Sequence, residues 1–355
     1  MTNKTSFDRL GNHILKGEIK VMSIQVVEAL KSGDYTDQVL KDALQLKGED
    51  QQELFAAARE RRLEYYPENR AQARSVIEIS NICRQRCRYC SIGGKDQRFN
   101  YSLDANQMDM LMDYLYNDGR RVVLLQSGEN PSEKFIREVE IAVKVIKEKH
   151  SDLRIILCMG DLTREQYQRL YDAGASDYVI KFEASNEELF RKCKPNDNLE
   201  NRLKCIEDLA EIGYRVGSGN IVGLPGQTLD NLVSDILLVH NLPLGMNSTT
   251  IFIPAENSDF ANEPAGNPNL TLNMMAIMRI MNPSRLMPTT SSLEKMIEDG
   301  QYLGLMAGAN TVTIHDGTPE ELQEYFPIYS THRVRPQIEH FRDILHRANM
   351  TADIC

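Results

Sequence analysis

The 355-residue chain contains no run of 18 or more apolar residues, so an apolar membrane-spanning helix is excluded. Its first residues, MTNKTSFDRL, hold no apolar core of a secretory leader, and a cytoplasmic location is expected. An excess of positive charge is also missing. With 41 Lys and Arg against 51 Asp and Glu, the net charge of -10 is the wrong bulk field for a nucleic-acid scaffold or for docking on anionic lipid. The seven cysteines are an odd number in a chain expected to be cytoplasmic, which does not read as a disulfide framework. Solenoid-type repeats and low-complexity tracts are absent too. What remains is an ordinary globular composition, 41% hydrophobic and 26% charged, long enough for one large domain or two ordinary ones.

The first 70 residues are polar and helix-forming. SIQVVEALKSG and DQQELFAAARERRLEYY are amphipathic, the second carrying Leu54, Phe55, Ala58 and Leu63 at roughly helical spacing. From about residue 75 the rhythm changes. Short β-rich runs at 75–80, 121–126, 153–158, 177–182, 216–223, 248–254, 284–290 and 309–314 alternate with longer helical patterns. Eight strands, each followed by a helix, over about 240 residues is the arithmetic of an α/β, TIM-type (β/α)8 barrel. A doubly wound open sheet is the rival, because strand count does not prove closure. The expected organisation is therefore a helical N-terminal extension, 1–70, and a barrel, 71–355. The polar loop 255–269 is expected to cross the barrel mouth, and PQIEHFRDILHRAN to form a closing helix.

Three cysteines stand out. Cys83, Cys87 and Cys90 form C-x3-C-x2-C directly after the first strand, which in a barrel places them on the first βα loop at the catalytic face. Three thiolates suit a soft metal. Tetrahedral zinc sites and ferredoxin-type clusters take a fourth protein ligand, yet the next cysteine is 68 residues away and no histidine lies within 40. A [4Fe–4S] cluster on three cysteines, with one iron open, fits this set.

C-x3-C-x-aromatic-C, with Tyr89 before the last cysteine, resembles the signature of the radical S-adenosylmethionine (SAM) enzymes. The resemblance implies a [4Fe–4S] cluster whose open iron binds SAM, reductive cleavage to a 5′-deoxyadenosyl radical, and a small-molecule substrate. It also implies an electron donor such as ferredoxin or flavodoxin. Gln126, Ser127, Gly128 and Glu129 resemble the element that holds the SAM amino group. The segment 219–226, with Ile221, Gly223 and Leu224, resembles the element packing on adenine. The likeness covers nearly the whole chain and falls in the biotin synthase-like group, closest to the HydE-type [FeFe]-hydrogenase maturases and to methylornithine synthase. It is carried by LLQSGENP, ASDYVIKFEASN, FIPAENSDFANE and MPTTSS. By position it implies Glu183 on the SAM ribose, Arg202 on the SAM carboxylate, and Lys181, Thr289, Thr290 and Ser291 on substrate.

Departures from the pattern qualify the substrate. Lys181 stands where such maturases usually carry arginine, keeping the charge but losing the planar fork. Ser248 and Ser292 replace the arginine and aspartate with which methylornithine synthase grips an amino acid, which disfavours lysine mutase activity. Cys158 matches one ligand of the second cluster of biotin synthase, but Gly217 stands where another is needed, so Cys158 reads as a small buried hydrophobe. Cys193 and Cys205 read as structural and Cys355 as incidental. Lys95 reads as solvated, and His315 and Asp316 at the end of the last strand either face the pocket or form a satisfied loop pair, ranking below the threonines.

Overall fold

The computed structural model describes residues 24–92, 99–328 and 335–352, so Lys95 and Cys355 lie outside the described residues. Helices α1 (24–32), α2 (Asp37–Leu44) and α3 (Gly48–Tyr65) come first. Eight strands follow: β1 (Arg70–Ser80), β2 (Val122–Ser127), β3 (Arg154–Cys158), β4 (Asp177–Val179), β5 (Arg215–Val222), β6 (Met246–Ile251), β7 (Pro288–Thr289) and β8 (Thr311–Ile314). Between them run α4 (Ala105–Asn117), α5 (Glu133–Lys149), α6 (Arg164–Asp172), α7 (Glu187–Cys193), α8 (Leu199–Ile212), α9 (Leu229–Asn241), α10 (Pro268–Met281), α11 (Ser291–Met296) and α12 (Gly300–Met306). The chain ends through α13 (Glu320–Gln323), α14 (Ile338–Arg347) and β9 (Thr351–Ala352), which pairs with β1.

Closure is decided by strand pairing. The order is β6-β5-β4-β3-β2-β1-β8-β7, all parallel, and β1 pairs with both β2 and β8. A first strand paired with the last belongs to a sheet wrapped on itself, so this is a (β/α)8 barrel rather than an open doubly wound sheet. The remaining seam is nearly closed by a bridge between Met246 and Leu286, where the Asn247 N–H donates to the Leu286 carbonyl at 2.8 Å. Leu286 lies in the run expected as strand 284–290, yet the ladder there shrinks to two residues. Pro283 and Pro288 bring no N–H to it.

Parallel barrel strands, covered by helices outside and packed inside, read as short apolar runs, as in VVLL of β2 and IIL of β3. Capping boxes at Asp104/Gln107, Thr163/Gln166 and Thr228/Asn231 start α4, α6 and α9. Because each helix begins beside the carboxyl ends of the strands, these caps also fix the loops around the site. Helix α3 buries Leu54, Phe55 and Ala58 as expected, but Leu63 is 40% exposed. Arg62 is buried in its place, since its guanidinium satisfies the carbonyls of Leu305 and Ala309 and the Asn69 side chain. Gln51 of α3 donates to Asn273 of α10 at 2.8 Å, so the N-terminal helices and the barrel share buried polar contacts as well as one apolar core. The 255–269 loop reaches the cysteine segment, its Phe260 N–H donating to the Arg88 carbonyl at 3.0 Å.

Candidate active site

The cysteine segment is pinned before it can serve as anything else. Asn81 donates to the carbonyls of Phe99 and Tyr325 and accepts the Tyr101 N–H, fixing where the chain leaves β1. Gly128, just after β2, presses against it: a Cβ there would lie 2.4 Å from the Ile82 carbonyl oxygen and 2.8 Å from the Cys83 Cβ. Only glycine permits that approach. The Glu129 N–H then reaches the Cys83 sulfur at 3.3 Å.

Cys83, Cys87 and Cys90 form no disulfide among the described residues, are half-buried, and line one cavity of about 370 Å3 that extends down the barrel lumen. Burial pushes the Cys83 thiol up and that of Cys87 up to about 11. Three soft donors held together in a water-poor site, with no fourth cysteine among the cavity-lining residues save Cys158 at the end of β3, are the donor set of a three-cysteine iron–sulfur cluster.

Beside the thiols lies a buried charge network. Arg202, at the start of α8, pairs with Glu129 at 3.3 Å, Asp161 at 3.1 Å and Asp197. Lys194 pairs with Asp197 at 2.8 Å, and Arg84 and Gln85 each donate to Glu129 at 2.8 Å. Burial alone would raise the Glu129 and Asp197 carboxyls, but Arg202 and Lys194 outweigh it: Glu129 sits below its ordinary value and Asp197 falls to about 2. Asp161 moves up instead, because burial and the charges of Asp197 and Glu129 exceed its share of Arg202. The oxygens of Glu129, Asp161 and Asp197 lie within 4.8 Å of one another, and the guanidinium of Arg202 is the cation they surround. Arg202 lines the cavity, and its buried Nε has no hydrogen-bond partner. An orphaned donor of this kind suits an anionic group of a bound cofactor.

Across the lumen, Glu183 stands in the left-handed region at φ 64, an uncommon state for a residue with a Cβ. It is held there by its N–H to the Gly219 carbonyl at 3.0 Å and by its own carbonyl accepting the Ile221 N–H at 2.9 Å. This kink also ends the β4 ladder at Val179, short of the expected 182. The carboxylate accepts from the Tyr89 hydroxyl at 3.2 Å and pairs with Lys181 at 2.9 Å, while Lys181 donates to Thr250 at 2.9 Å. The Tyr89 of the cysteine motif therefore touches the expected ribose-binding carboxylate, a link the motif alone did not reveal.

The cavity brings together Gln126, Ser127, Gly128, Glu129, Lys181, Glu183, Arg202, Ile221, Thr290 and Ser291 with the three cysteines. Three expected residues lie elsewhere. Thr289 is fully buried with its hydroxyl against Gly304 of α12, because successive strand residues face opposite sides and Thr290 takes the lumen. Leu224 sits in a small apolar cluster with Ala184, Leu189 and Phe260. Gly223 gives its N–H to the Gln227 side chain at 2.6 Å and packs against Gly266. Residues missed by sequence reasoning include Asp161, Asp197, Lys194, Arg74 and Thr250, while His315, ranked below the threonines, does line the cavity. For Asp161 a signal existed, since it follows a strand at its carboxyl end, where barrel sites are built. Cys158 lines the lumen half-buried, and burial pushes its thiol up to about 11, which keeps it a protonated, unreactive side chain.

Three thiols at the mouth of the barrel cavity, walled by paired charges on strand ends, are the arrangement of a barrel enzyme that holds a redox cofactor. Comparison with known proteins agrees. The family model described as the radical SAM superfamily matches residues 77–239. The chain is 32% identical over 308 residues to the [FeFe] hydrogenase maturase subunit HydE of Thermotoga maritima, covering 86% of this chain and 87% of that one. It is 25% identical over 302 residues to biotin synthase of Parabacteroides distasonis, covering 81% and 88%. The crystal structure of methylornithine synthase (PylB) superposes with a TM-score of 0.80 at 24% identity, covering 92% of this chain and 97% of that one, which shows the fold. The chain belongs to the radical SAM superfamily, whose enzymes use a [4Fe–4S] cluster and SAM. Among its described residues no helix is long and apolar enough to cross a membrane.

Proposed function

We propose that this protein is a radical SAM enzyme of the maturase type, acting on a small substrate in the barrel lumen. Cys83, Cys87 and Cys90 hold the cluster, Glu129 and Arg202 take the amino and carboxylate groups of SAM, and Glu183 takes its ribose. When bound, cluster and SAM together supply one-electron cleavage of the sulfonium and a hydrogen-abstracting carbon radical. The protein's own part is positional. The balanced set of Arg202, Lys194 and Arg84 against Glu129, Asp161 and Asp197 is fixed by ion pairs and hydrogen bonds before any ligand arrives. Preorganised charge of this kind costs no rearrangement during the reaction. The lumen beneath keeps water from the reacting centre.

The observation that carries the maturase reading is the 32% identity over 308 residues to a HydE maturase; against it stands Lys181, which replaces the usual arginine but keeps its charge. Lys181 is a cation on the lumen wall held by Glu183 and Thr250, beside the hydroxyls of Thr290 and Ser291, which together suit a substrate with an anionic or metal-bound anionic group. A second reading, a mutase or lyase acting on a different amino acid or on a thioether, is favoured by the hydroxyl pair Thr290 and Ser292, 2.7 Å apart on the lumen wall. A scaffold that binds the cluster without turnover would have no use for the charge set around Arg202.

The test is formation of 5′-deoxyadenosine by the reduced, anaerobically reconstituted protein with SAM and each of a panel: an iron–cysteine complex, thioether and thiazolidine carboxylates, and free amino acids. Stimulation by the iron complex supports the maturase reading, and stimulation only by an organic amino acid moves the protein to the mutase or lyase class. No cleavage under any condition refutes both.

A further inference from the structure

At the end of the lumen formed by β7 and β8, three side chains from three different strands or strand ends converge. Ser291 opens α11 directly after β7, His315 follows β8, and Glu78 sits inside β1, which is paired with β8. The Ser291 hydroxyl lies 3.2 Å from His315 Nε2, and His315 Nδ1 lies 3.7 Å from a Glu78 carboxylate oxygen. That second gap is about half an ångström beyond a hydrogen bond, within a small swing of the ring. Glu78 is fully buried and the other two nearly so, while Ser291 and His315 line the cavity. The chain around the ring is fastened: the His315 N–H donates to the Pro336 carbonyl at 2.9 Å, and Gln337 donates to the His315 carbonyl at 3.1 Å.

We propose that Ser291, His315 and Glu78 form a proton relay for the substrate, a Ser–His–Glu line opening into the radical chamber. The inference rests on the reading of the lumen as the place where substrate reacts. In the order Ser Oγ–H to Nε2 and Nδ1–H to carboxylate, the imidazole presents a base toward the cavity through the Ser291 hydroxyl, while the buried acid fixes its tautomer. Removing hydrogen from a carbon that bears an amine, thiol or hydroxyl group makes the proton on that heteroatom more acidic. In a lumen with little access to bulk water, the protein must take the proton.

The relay does this in one concerted shift. The heteroatom proton passes to Ser291 Oγ as the Ser291 proton passes to His315 Nε2, and Glu78 stabilises the imidazolium so formed without taking its proton. The heteroatom keeps its electron pair, no electron leaves the substrate, and reversal restores each group. The substrate class that calls for it carries a protic nitrogen, sulfur or oxygen next to the carbon attacked. Among the described residues, the charged groups facing the ring include Glu78 from β1, Asp316 beside it, itself paired with Arg120 at 2.9 Å, and Arg335 before α14. Burial, and then Arg335, hold the imidazolium pKa down to about 4, so the ring is neutral when the enzyme works.

A neutral histidine has two tautomers and only one of them serves the relay. The deciding experiment is 15N-histidine NMR of the reconstituted protein with its cluster oxidised and diamagnetic, the His315 signal being identified among the seven histidines as the one lost in His315→Gln. The expected ring carries its proton on Nδ1 and shows a bare, pyridine-type Nε2, and Ser291→Ala shifts the Nε2 resonance. A proton on Nε2, or a doubly protonated ring at neutral pH, overturns the relay. With the panel compound that couples to SAM cleavage, His315→Gln is expected to lower product formation at least about 100-fold, and undiminished product also overturns it. The two readings fail separately. Absence of 5′-deoxyadenosine from the wild-type protein removes the radical enzyme and leaves the tautomer measured, whereas the wrong tautomer removes the relay and leaves the radical enzyme.

Discussion

Asp235 on α9 offers a sharp test of how the cofactor-facing wall is held. It is fully buried, and one carboxylate oxygen accepts the Ser185 N–H at 2.7 Å and the Ser185 hydroxyl at 2.6 Å. The other accepts from Asn220 at 2.8 Å and Gln227 at 3.4 Å. Through these partners it ties together the segment after Glu183, strand β5 and the loop carrying Gly223. No cation is among these partners, and burial lifts its carboxyl from 3.8 to about 6 in spite of the donors from Ser185 and Asn220. A pKa raised on folding means that the native state holds the proton more tightly than the unfolded chain. The favourable contribution is then complete below the unfolded value near 3.8 and is lost as pH rises through the folded value near 6. A shift of about two units at 1.36 kcal/mol each makes ionised Asp235 cost about 3 kcal/mol at neutral pH. Asp235→Asn cannot ionise. Urea unfolding of the apoprotein, followed by circular dichroism from about pH 4 to pH 7, is expected to show the variant gaining about 3 kcal/mol on the wild type across that window, half of it near pH 5. A wild-type-minus-variant difference that is flat across the window, or that grows in the opposite direction, refutes the reasoning.

Cys83→Ala is expected to abolish the cluster, and iron and sulfide contents equal to wild type after anaerobic reconstitution would remove Cys83 from the site. Glu183→Ala frees Lys181 and Tyr89 of their shared acceptor and should weaken SAM binding while leaving iron content intact; calorimetry with SAM on the reconstituted protein checks it. Arg202→Met leaves Glu129, Asp161 and Asp197 buried with only Lys194 and Arg84 nearby. A loss of about 3–5 kcal/mol is expected in denaturant unfolding at neutral pH, diminishing on acidification as the carboxylates take up protons. Gly160→Ala places a Cβ 2.4 Å from the Glu129 carboxylate at a φ of +77°, so it should cost about 1–3 kcal/mol of stability and lower SAM affinity; unchanged values of both would show that Glu129 is free to move.

The sequence by itself determined the chemistry at the mouth of the barrel and the repeating units beneath it. Three cysteines in eight residues after a strand need no distant partner to be recognised, and the βα alternation is a local pattern of periodicity and caps. Closure, facing and charge balance were decided only in three dimensions. Closure rests on β1 meeting β8 across some 240 residues, a pairing that no local signal encodes. Thr289 and Thr290 are the same residue type side by side, and only the register of a two-residue strand sends one into the lumen and the other against Gly304. Arg202 is assigned to the SAM carboxylate by resemblance alone, and only the fold brings Asp161 from the end of β3 and Asp197 from the turn before α8 around it. Ser291, His315 and Glu78 are separated by more than 200 residues in all, and converge because a barrel brings its first strand beside its last.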